Sequence, residues 1–312
     1  MIVALAGGVG GARLAHGLAA RLAPEDLVIV VNTGDDFEHL GLHISPDPDT
    51  VLYTLARLAD RERGWGQTDE SWHFMAALGR LGGETWFALG DKDLALHIER
   101  TRRLRNGDAL SQITLDFAAK LGVAHAVVPM SDDQVRTIVH TDEDALAFQD
   151  YFVRRRCAPV VRRIEIVGAN KARPSPGFHA AMQSPQLTGV VICPSNPLLS
   201  IDPILAVRGV RAWLENRNFP VVAVSPIIGG KAVKGPAAKI LTELHLNVGV
   251  RGIADHYAGL IDGLVIDTQD ETEIATSPAL AIHATDALMR DDGDRRRLAS
   301  ETLQFLATLS AP

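Results

Sequence analysis

Cysteine is scarce in this chain of 312 residues: Cys157 and Cys193 are the whole complement, and they form no Cys-x-x-Cys pair. That scarcity excludes a disulfide scaffold and a thiolate zinc site, and a reducing cytoplasm is the expected location. No apolar run approaches the roughly 20 residues of a membrane helix, so no membrane association is expected. The apolar stretch Met1–Ala6 has no basic segment before it, the first cation being Arg13, and it breaks on Gly7-Gly8. It reads as a first strand rather than a secretory signal. Positive charge is in deficit, with 31 Lys and Arg against 38 Asp and Glu and a net charge of -7. A nucleic-acid coat is thereby excluded, and a phosphate-rich ligand must be held locally by backbone amides, a few cations or a metal. Repeats, low-complexity tracts and clear linkers are missing as well. What is present is core: 46% of residues are hydrophobic, which excludes global disorder.

Short apolar runs recur at Ile2–Ala6, Leu27–Val31, Ala124–Val128, Gly189–Cys193, Val221–Val224 and Leu264–Ile266. They do not alternate, so both faces are expected to be buried, as in a parallel sheet covered by helices. Helical stripes lie between them: Leu14, Leu18 and Leu22, then Leu110, Ile113, Phe117 and Leu121. Asp202-Pro203 and Gly235-Pro236 are helix-start signals. The rhythm predicts one α/β domain over 1–312, a doubly wound, Rossmann-like and mostly parallel sheet. A mainly helical insertion is expected at about 50–120, and a small β-rich one at about 135–168, where Val135, Thr137 and Val139 alternate. The charged stretch Arg290–Arg297 reads as a solvated helix face.

Four groups of residues carry chemistry. Gly7-Gly8-Val9-Gly10-Gly11 lies between a strand and a helix, where glycine lets a phosphate approach the backbone amides. A tight turn needed only for packing is the competing reading. The dinucleotide fingerprint lacks its third glycine, and Gly230-Lys231-Ala232 is no Walker A loop. Asn32-Thr33-Gly34-Asp35-Asp36 and Pro46-Asp47-Pro48-Asp49-Thr50 bring four carboxylates to strand ends. Unpaired acids gather around a divalent cation, and hard oxygen ligands favour Mg²⁺. The alternative makes Asp36 and Asp49 turn or N-cap residues. Leu89–Asp93, Pro129–Asp133 and Pro194–Pro197 are rigid polar turns, and Asn196 is suited to reading a base or ribose. Finally, Ser225–Lys231 and Lys234 supply glycines and cations for a second anion cradle.

In that order, Gly-Gly-Val-Gly-Gly-Ala-Arg, Asn-Thr-Gly-Asp-Asp, Pro-Asp-x-Asp-Thr-Val-Leu-Tyr-Thr-Leu, Trp65-Gly66, Gly-Asp-x-Asp, Pro-Met-Ser-Asp-Asp, Phe148-Gln149, Pro-Ser-Asn-Pro and Ser-Pro-Ile-Ile-Gly-Gly make the chain resemble the 2-phospho-L-lactate transferases of coenzyme F-420 biosynthesis. The resemblance implies that the ribityl hydroxyl of the deazaflavin Fo attacks a guanosine diphosphate-linked phospho-acid. GMP leaves, and Mg²⁺ is required. Asp35, Asp47 and Asp49 are the candidate catalytic residues, and of the acids Asp35 and Asp47 are the ones chosen here for the metal. Asp49, Ala88, Gly90 and Asp91 would contact Fo. Gly8, Gly10, Gly11, Ser195, Asn196, Ser225, Gly229, Gly230 and Lys231 would hold the nucleotide. Coupling to a guanylyltransferase that makes the donor is implied, and a homodimer is expected. Pro48, Lys92 and Leu96 stand where the family usually has Leu, Arg and Thr; the first stiffens its loop. His97 reads as a helix-surface histidine with a structural partner. The competing functions are a non-enzymatic nucleotide-sugar-binding regulator of the gluconeogenesis-factor type and, more weakly, an NAD-dependent oxidoreductase.

Overall fold

The computed structural model describes residues 1–232, 237–274 and 280–309. Runs too short for helices become strands, of which the apolar ones inside the main sheet are buried on both faces. In chain order these are β1 (Ile2–Ala6), β2 (Leu27–Val31), the hairpin β3 (Phe37–His39) and β4 (Leu42–Ile44), and β5 (Ala126–Pro129). There follow β6 (Arg136–Thr141), β7 (Ala145–Ala147), β8 (Val161–Val167), β9 (Gly189–Ile192) and β10 (Val221–Val224). The small hairpin β11 (Ile227–Ile228) and β12 (Lys231–Ala232) precedes β13 (Gly263–Asp267) and β14 (Ala281–Thr285). Seven strands form one sheet in the order β14-β13-β10-β9-β1-β2-β5. Every pairing in it is parallel.

Alternate residues of a strand feed different cores. Val3 and Leu5 pack with Phe178, Ile204, Val210 and Ile253 on one side. Ile2, Ala4 and Ala6 pack on the other, against helices α1 (Gly8–Ala19) and α2 (Pro46–Leu55) and the C-terminal helix Asp292–Thr308. Continuous apolar strands are what a sheet covered on both faces requires. The chain runs outward from β1 through β2 to β5, then returns to β9 on the other side of β1. The strand order therefore reverses between β1 and β9, and the crevice at their carboxyl ends is where such sheets bind ligands.

Beyond the sheet, α3 (His73–Arg80), α4 (Asp91–Arg105) and α5 (Leu110–Lys120) fill the region between β4 and β5. The strands β7, β6 and β8 make a separate antiparallel sheet. Several local expectations change. Helix α1 ends at Ala19, so Leu22 lies beyond its stripe. The edge strand β14 and the β3–β4 hairpin were not among the expected strands. Helix α2 starts at Pro46, not after Asp49, so Asp49 is not its N-cap and Pro48 sits in a helical turn rather than a loop. Proline is tolerated there because the first-turn N–H groups have no intrahelical acceptor. The Gly235-Pro236 signal and Lys234 lie outside the described residues. Among the described residues, no helix is long and apolar enough to cross a membrane.

Candidate functional site

The glycine loop follows β1 at the reversal point. Gly8 has φ +61, a left-handed conformation that L side chains rarely adopt. A Cβ on Gly10 would overlap the Pro194 carbonyl oxygen, and one on Gly11 the Ser195 hydroxyl. The loop is also tied across the crevice to the turn after β9. The Gly7 N–H donates to Ser195 Oγ at 3.0 Å, and that hydroxyl donates to the Gly7 carbonyl at 2.8 Å. Close packing thus accounts for Gly10 and Gly11, and Ser195 is spent on the tie. Asn196 accepts from the Leu198 and Leu199 N–H groups at 3.0 and 3.1 Å, capping the turn Pro197–Ile201. Its oxygen is committed, so its NH₂ is the end left for a ligand.

The second cradle is already filled. Gly229 and Gly230 both have positive φ in the tight turn between β11 and β12. Their N–H groups donate to the two oxygens of Asp270 at 2.9 and 2.8 Å, and Asp270 is buried. The chain's own carboxylate holds the amides that sequence reasoning assigned to a diphosphate. The Ser225 hydroxyl accepts from the Ile227 N–H at 3.1 Å, shaping the same loop. Lys231 is exposed beside it.

The four acids separate into two groups, because residues two apart on a helix point in nearly opposite directions. Asp47 faces the glycine loop, accepting from the Gly8 N–H at 2.7 Å. The fully buried Asn32, just past β2, donates its one NH₂ to Asp47 Oδ2 at 2.9 Å and Asp35 Oδ1 at 3.2 Å. Gln149 donates to the other Asp35 oxygen at 3.3 Å. Neither acid has an ion-pair partner among the described residues. Burial, then the charges of Asp47 and Asp36, push the Asp35 carboxyl well above its usual range. Burial likewise raises Asp47 to about 6 against the hydrogen bonds of Asn32 and Gly8. Asp36 Oδ2 accepts from the Ser45 hydroxyl at 2.8 Å and lies 3.0 Å from His43 Nε2, while its buried Oδ1 has no partner among the described residues. Unpaired carboxylates and an orphaned oxygen are the donor set a hard divalent cation takes.

Asp49 turns the other way. It is buried against Arg100 of α4, whose Nη1 donates to Oδ2 at 3.1 Å and whose Nη2 donates to Oδ1. His97 is buried as well, not on the helix surface, with Nδ1 3.6 Å from Asp49 and Nε2 3.3 Å from Asp93. Tyr53 donates its hydroxyl to Asp93. Burial raises Asp49 even against the charges of Arg100 and His97. Burial also opposes ionisation of Asp93, but the His97 hydrogen bond and charge, Tyr53 and Arg100 outweigh it and hold that carboxyl low. Asp49, Asp93 and His97 offer ligand atoms within 4.8 Å of one another, yet Arg100 already supplies the cation there. Arg100 had not been singled out, and Asp93 and Tyr53 stood only within the Leu89–Asp93 turn and the motif that begins at Pro46, with no role of their own. The signal was available: Asp93, His97 and Arg100 recur at helical spacing, and Tyr53 lies four residues after Asp49.

Asp91 is committed elsewhere. Its carboxylate accepts from Ser71 Oγ at 2.6 Å and from the His73 and Phe74 N–H groups at 3.0 and 3.1 Å, anchoring the start of α3. Those bonds, Ser71 first, hold its carboxyl low. Gly90 is pressed by the Glu70 carboxylate, which accepts from the Lys92 and Asp93 N–H groups, both at 2.9 Å, at the start of α4. Ala88 is half-buried and follows an aromatic group in which Phe37 and Phe87 meet edge-on at 4.8 Å and His39 lies 5.0 Å from Trp86.

Residues 2–306 match the family described as 2-phospho-L-lactate transferase CofD. The chain belongs to that family. It is 42% identical to the phosphoenolpyruvate transferase of Kitasatospora aureofaciens over 93% of this chain and 92% of that protein. It is 40% identical to the 2-phospho-L-lactate transferase of Methanopyrus kandleri over 99% and 98%. The CofD relatives thus include proteins named for two different phospho-acids. A crystal structure of a UPF0052 family member from Bacillus halodurans superposes with a TM-score of 0.62 at 13% identity, covering 97% of this chain and 98% of that one. At that identity the likeness speaks for the fold, the doubly wound α/β sheet.

Proposed function

We propose that this CofD-family chain moves a phospho-acid from a guanosine diphosphate-linked donor to the ribityl hydroxyl of Fo. The observation that carries the reading is the unpaired Asp35–Asp47 couple, set by Asn32 against the glycine loop at the reversal of strand order. The hydroxyl oxygen bonds to the phosphorus bearing the acid, the bond from that phosphorus to the bridging oxygen breaks, and GMP leaves with the bridging oxygen. Phosphoryl transfer needs positioning and charge neutralisation more than a covalent catalyst. Mg²⁺, bound by Asp35 and Asp47 with Asp36 beside them, would neutralise the diphosphate. Gly8 and the NH₂ of Asn196 border the nucleotide, with exposed Lys231 at its edge. Asp49 receives the hydroxyl proton, its affinity for it raised by burial and its position fixed by Arg100. The aromatic group before Ala88 offers flat faces to the deazaflavin.

The test supplies Fo, Mg²⁺, GTP, a guanylyltransferase and phospholactate, phosphoenolpyruvate or 3-phosphoglycerate in turn, and weighs the product. A product heavier than Fo by one phospho-acid less one water supports the reading and identifies the acid. Titrating the protein into Fo separates the transferase from a nucleotide-binding regulator: no change in deazaflavin fluorescence at micromolar protein overturns it.

A further inference from the structure

A recess of about 20 Å³ opens beside the glycine loop, lined by Val9, Thr50 and Tyr53 and by three arginines, Arg13, Arg61 and Arg295. The arginines share too little negative charge. Arg61 reaches both oxygens of Asp292 at 3.1 and 3.2 Å, and Arg295 reaches the same carboxylate at 3.2 Å. Arg13 donates only to the Met289 carbonyl, at 3.1 Å, and has no carboxylate partner among the described residues. Asp60 at the rim is taken by Arg63 at 2.8 Å. Arg295 is 7% exposed, and its Nε is buried without a partner among the described residues. Burial and the charge of Arg61 pull the Arg13 guanidinium below its ordinary range. Burial does the same to Arg295, with Arg13 and Arg61 adding to it and Asp292 opposing. Two of the three, the half-buried Arg13 and the buried Arg295, are drawn out of water, and like charges held so are costly unless an anion joins them.

We propose that the recess takes the carboxylate of a phospho-acid, which under the transferase reading, on which this inference rests, is the acid carried by the donor. A space of that volume admits one small group and no nucleobase. Guanidinium forks match a carboxylate in plane and spacing. The position suits a donor whose diphosphate lies on the loop: Val9 follows Gly8, and Thr50 lies one helical turn beyond Asp47. Phospholactate, phosphoenolpyruvate and 3-phosphoglycerate all carry a carboxylate. The recess therefore recognises the class and leaves the choice among acids to other contacts, in keeping with relatives named for different acids.

Calorimetric titration of the Mg²⁺-loaded protein with GDP and with the donor, in the absence of Fo, tests this. Arg13→Gln should weaken the donor at least tenfold and leave GDP within twofold. Arg61→Gln, at an exposed side chain, should do the same should Arg13→Gln fail to fold. Equal effects on GDP and donor, or no effect on either, overturn the proposal. A second arm uses the free acid. In wild type, 3-phosphoglycerate should raise the unfolding midpoint more than glycerol 3-phosphate at matched ionic strength, and the difference should vanish in Arg13→Gln. A wild type that binds neither GDP nor donor overturns the transferase reading; the free-acid arm then decides the recess alone, equal shifts from the two phosphates overturning it.

Discussion

Replacing Asp35 by Asn should make the metal-free protein more stable while removing Mg²⁺-dependent turnover. The bonds of 3.2 and 2.9 Å to the one Asn32 nitrogen keep the Asp35 and Asp47 oxygens within about 6 Å. At an effective dielectric of about 20, two charges at that distance repel by about 3 kcal/mol. Asn keeps the bond from Asn32, and an amide flip of Gln149 lets it accept from the new NH₂, so little is lost. For a domain this large, relief of 2–3 kcal/mol corresponds to roughly 3–5 °C in the unfolding midpoint. The sign with pH follows from the raised folded-state values. A carboxyl raised on folding binds its proton more tightly in the native state, so wild type loses stability as pH rises from the unfolded value through the folded one, about 6 for Asp47. The advantage of Asp35→Asn should be gone near pH 4, where the wild-type carboxyls are protonated, and should grow as pH rises through the raised values of the pair. Thermal unfolding by circular dichroism, in EDTA and then in Mg²⁺, reads both effects. Mg²⁺ should raise the wild-type midpoint and leave the variant unmoved. A variant no more stable than wild type in EDTA at pH 8, or a wild type indifferent to Mg²⁺, refutes the reasoning.

Arg100→Met leaves Asp49 buried without its cation and should cost about 3–5 kcal/mol, seen as a lower urea midpoint at unchanged slope. Adding Asp49→Asn should recover part of that loss, a coupling that a double-mutant cycle measures. Gly10→Ala drives a methyl into the Pro194 carbonyl and should cost about 1–3 kcal/mol by the same assay, because a backbone oxygen cannot swing aside. Tyr53→Phe removes one hydrogen bond to Asp93 and should cost about 1–2 kcal/mol, again read as a lower urea midpoint.

The sheet was legible because its pattern is redundant. Val3 and Leu5 had to face one core and Ile2, Ala4 and Ala6 another, so the run Ile2–Ala6 had one stable role. The edge strand Ala281–Thr285 lacks that redundancy: it is half-exposed along its length, and its alternation is weak. The position of the crevice also followed from chain order. What sequence could not separate was Asp47 from Asp49. Two acids flanking a proline look like one ligand set in a loop, whereas a helix starting at Pro46 sends one toward Gly8 and the other toward Arg100, 51 residues away. Nor did the glycines after Ser225 betray that Asp270, 40 residues on, fills their amides.

That last contact bears on how the protein meets its ligand. A glycine turn left to itself samples many shapes, and a ligand that needs one of them must supply the ordering free energy on arrival. With Asp270 holding both amides, the ordering is completed when the chain folds. The loop from Ser225 to Lys231 then works as a preorganised wall of the crevice. Its tolerance to change is set at a residue that any ligand on the outer face of the turn never touches.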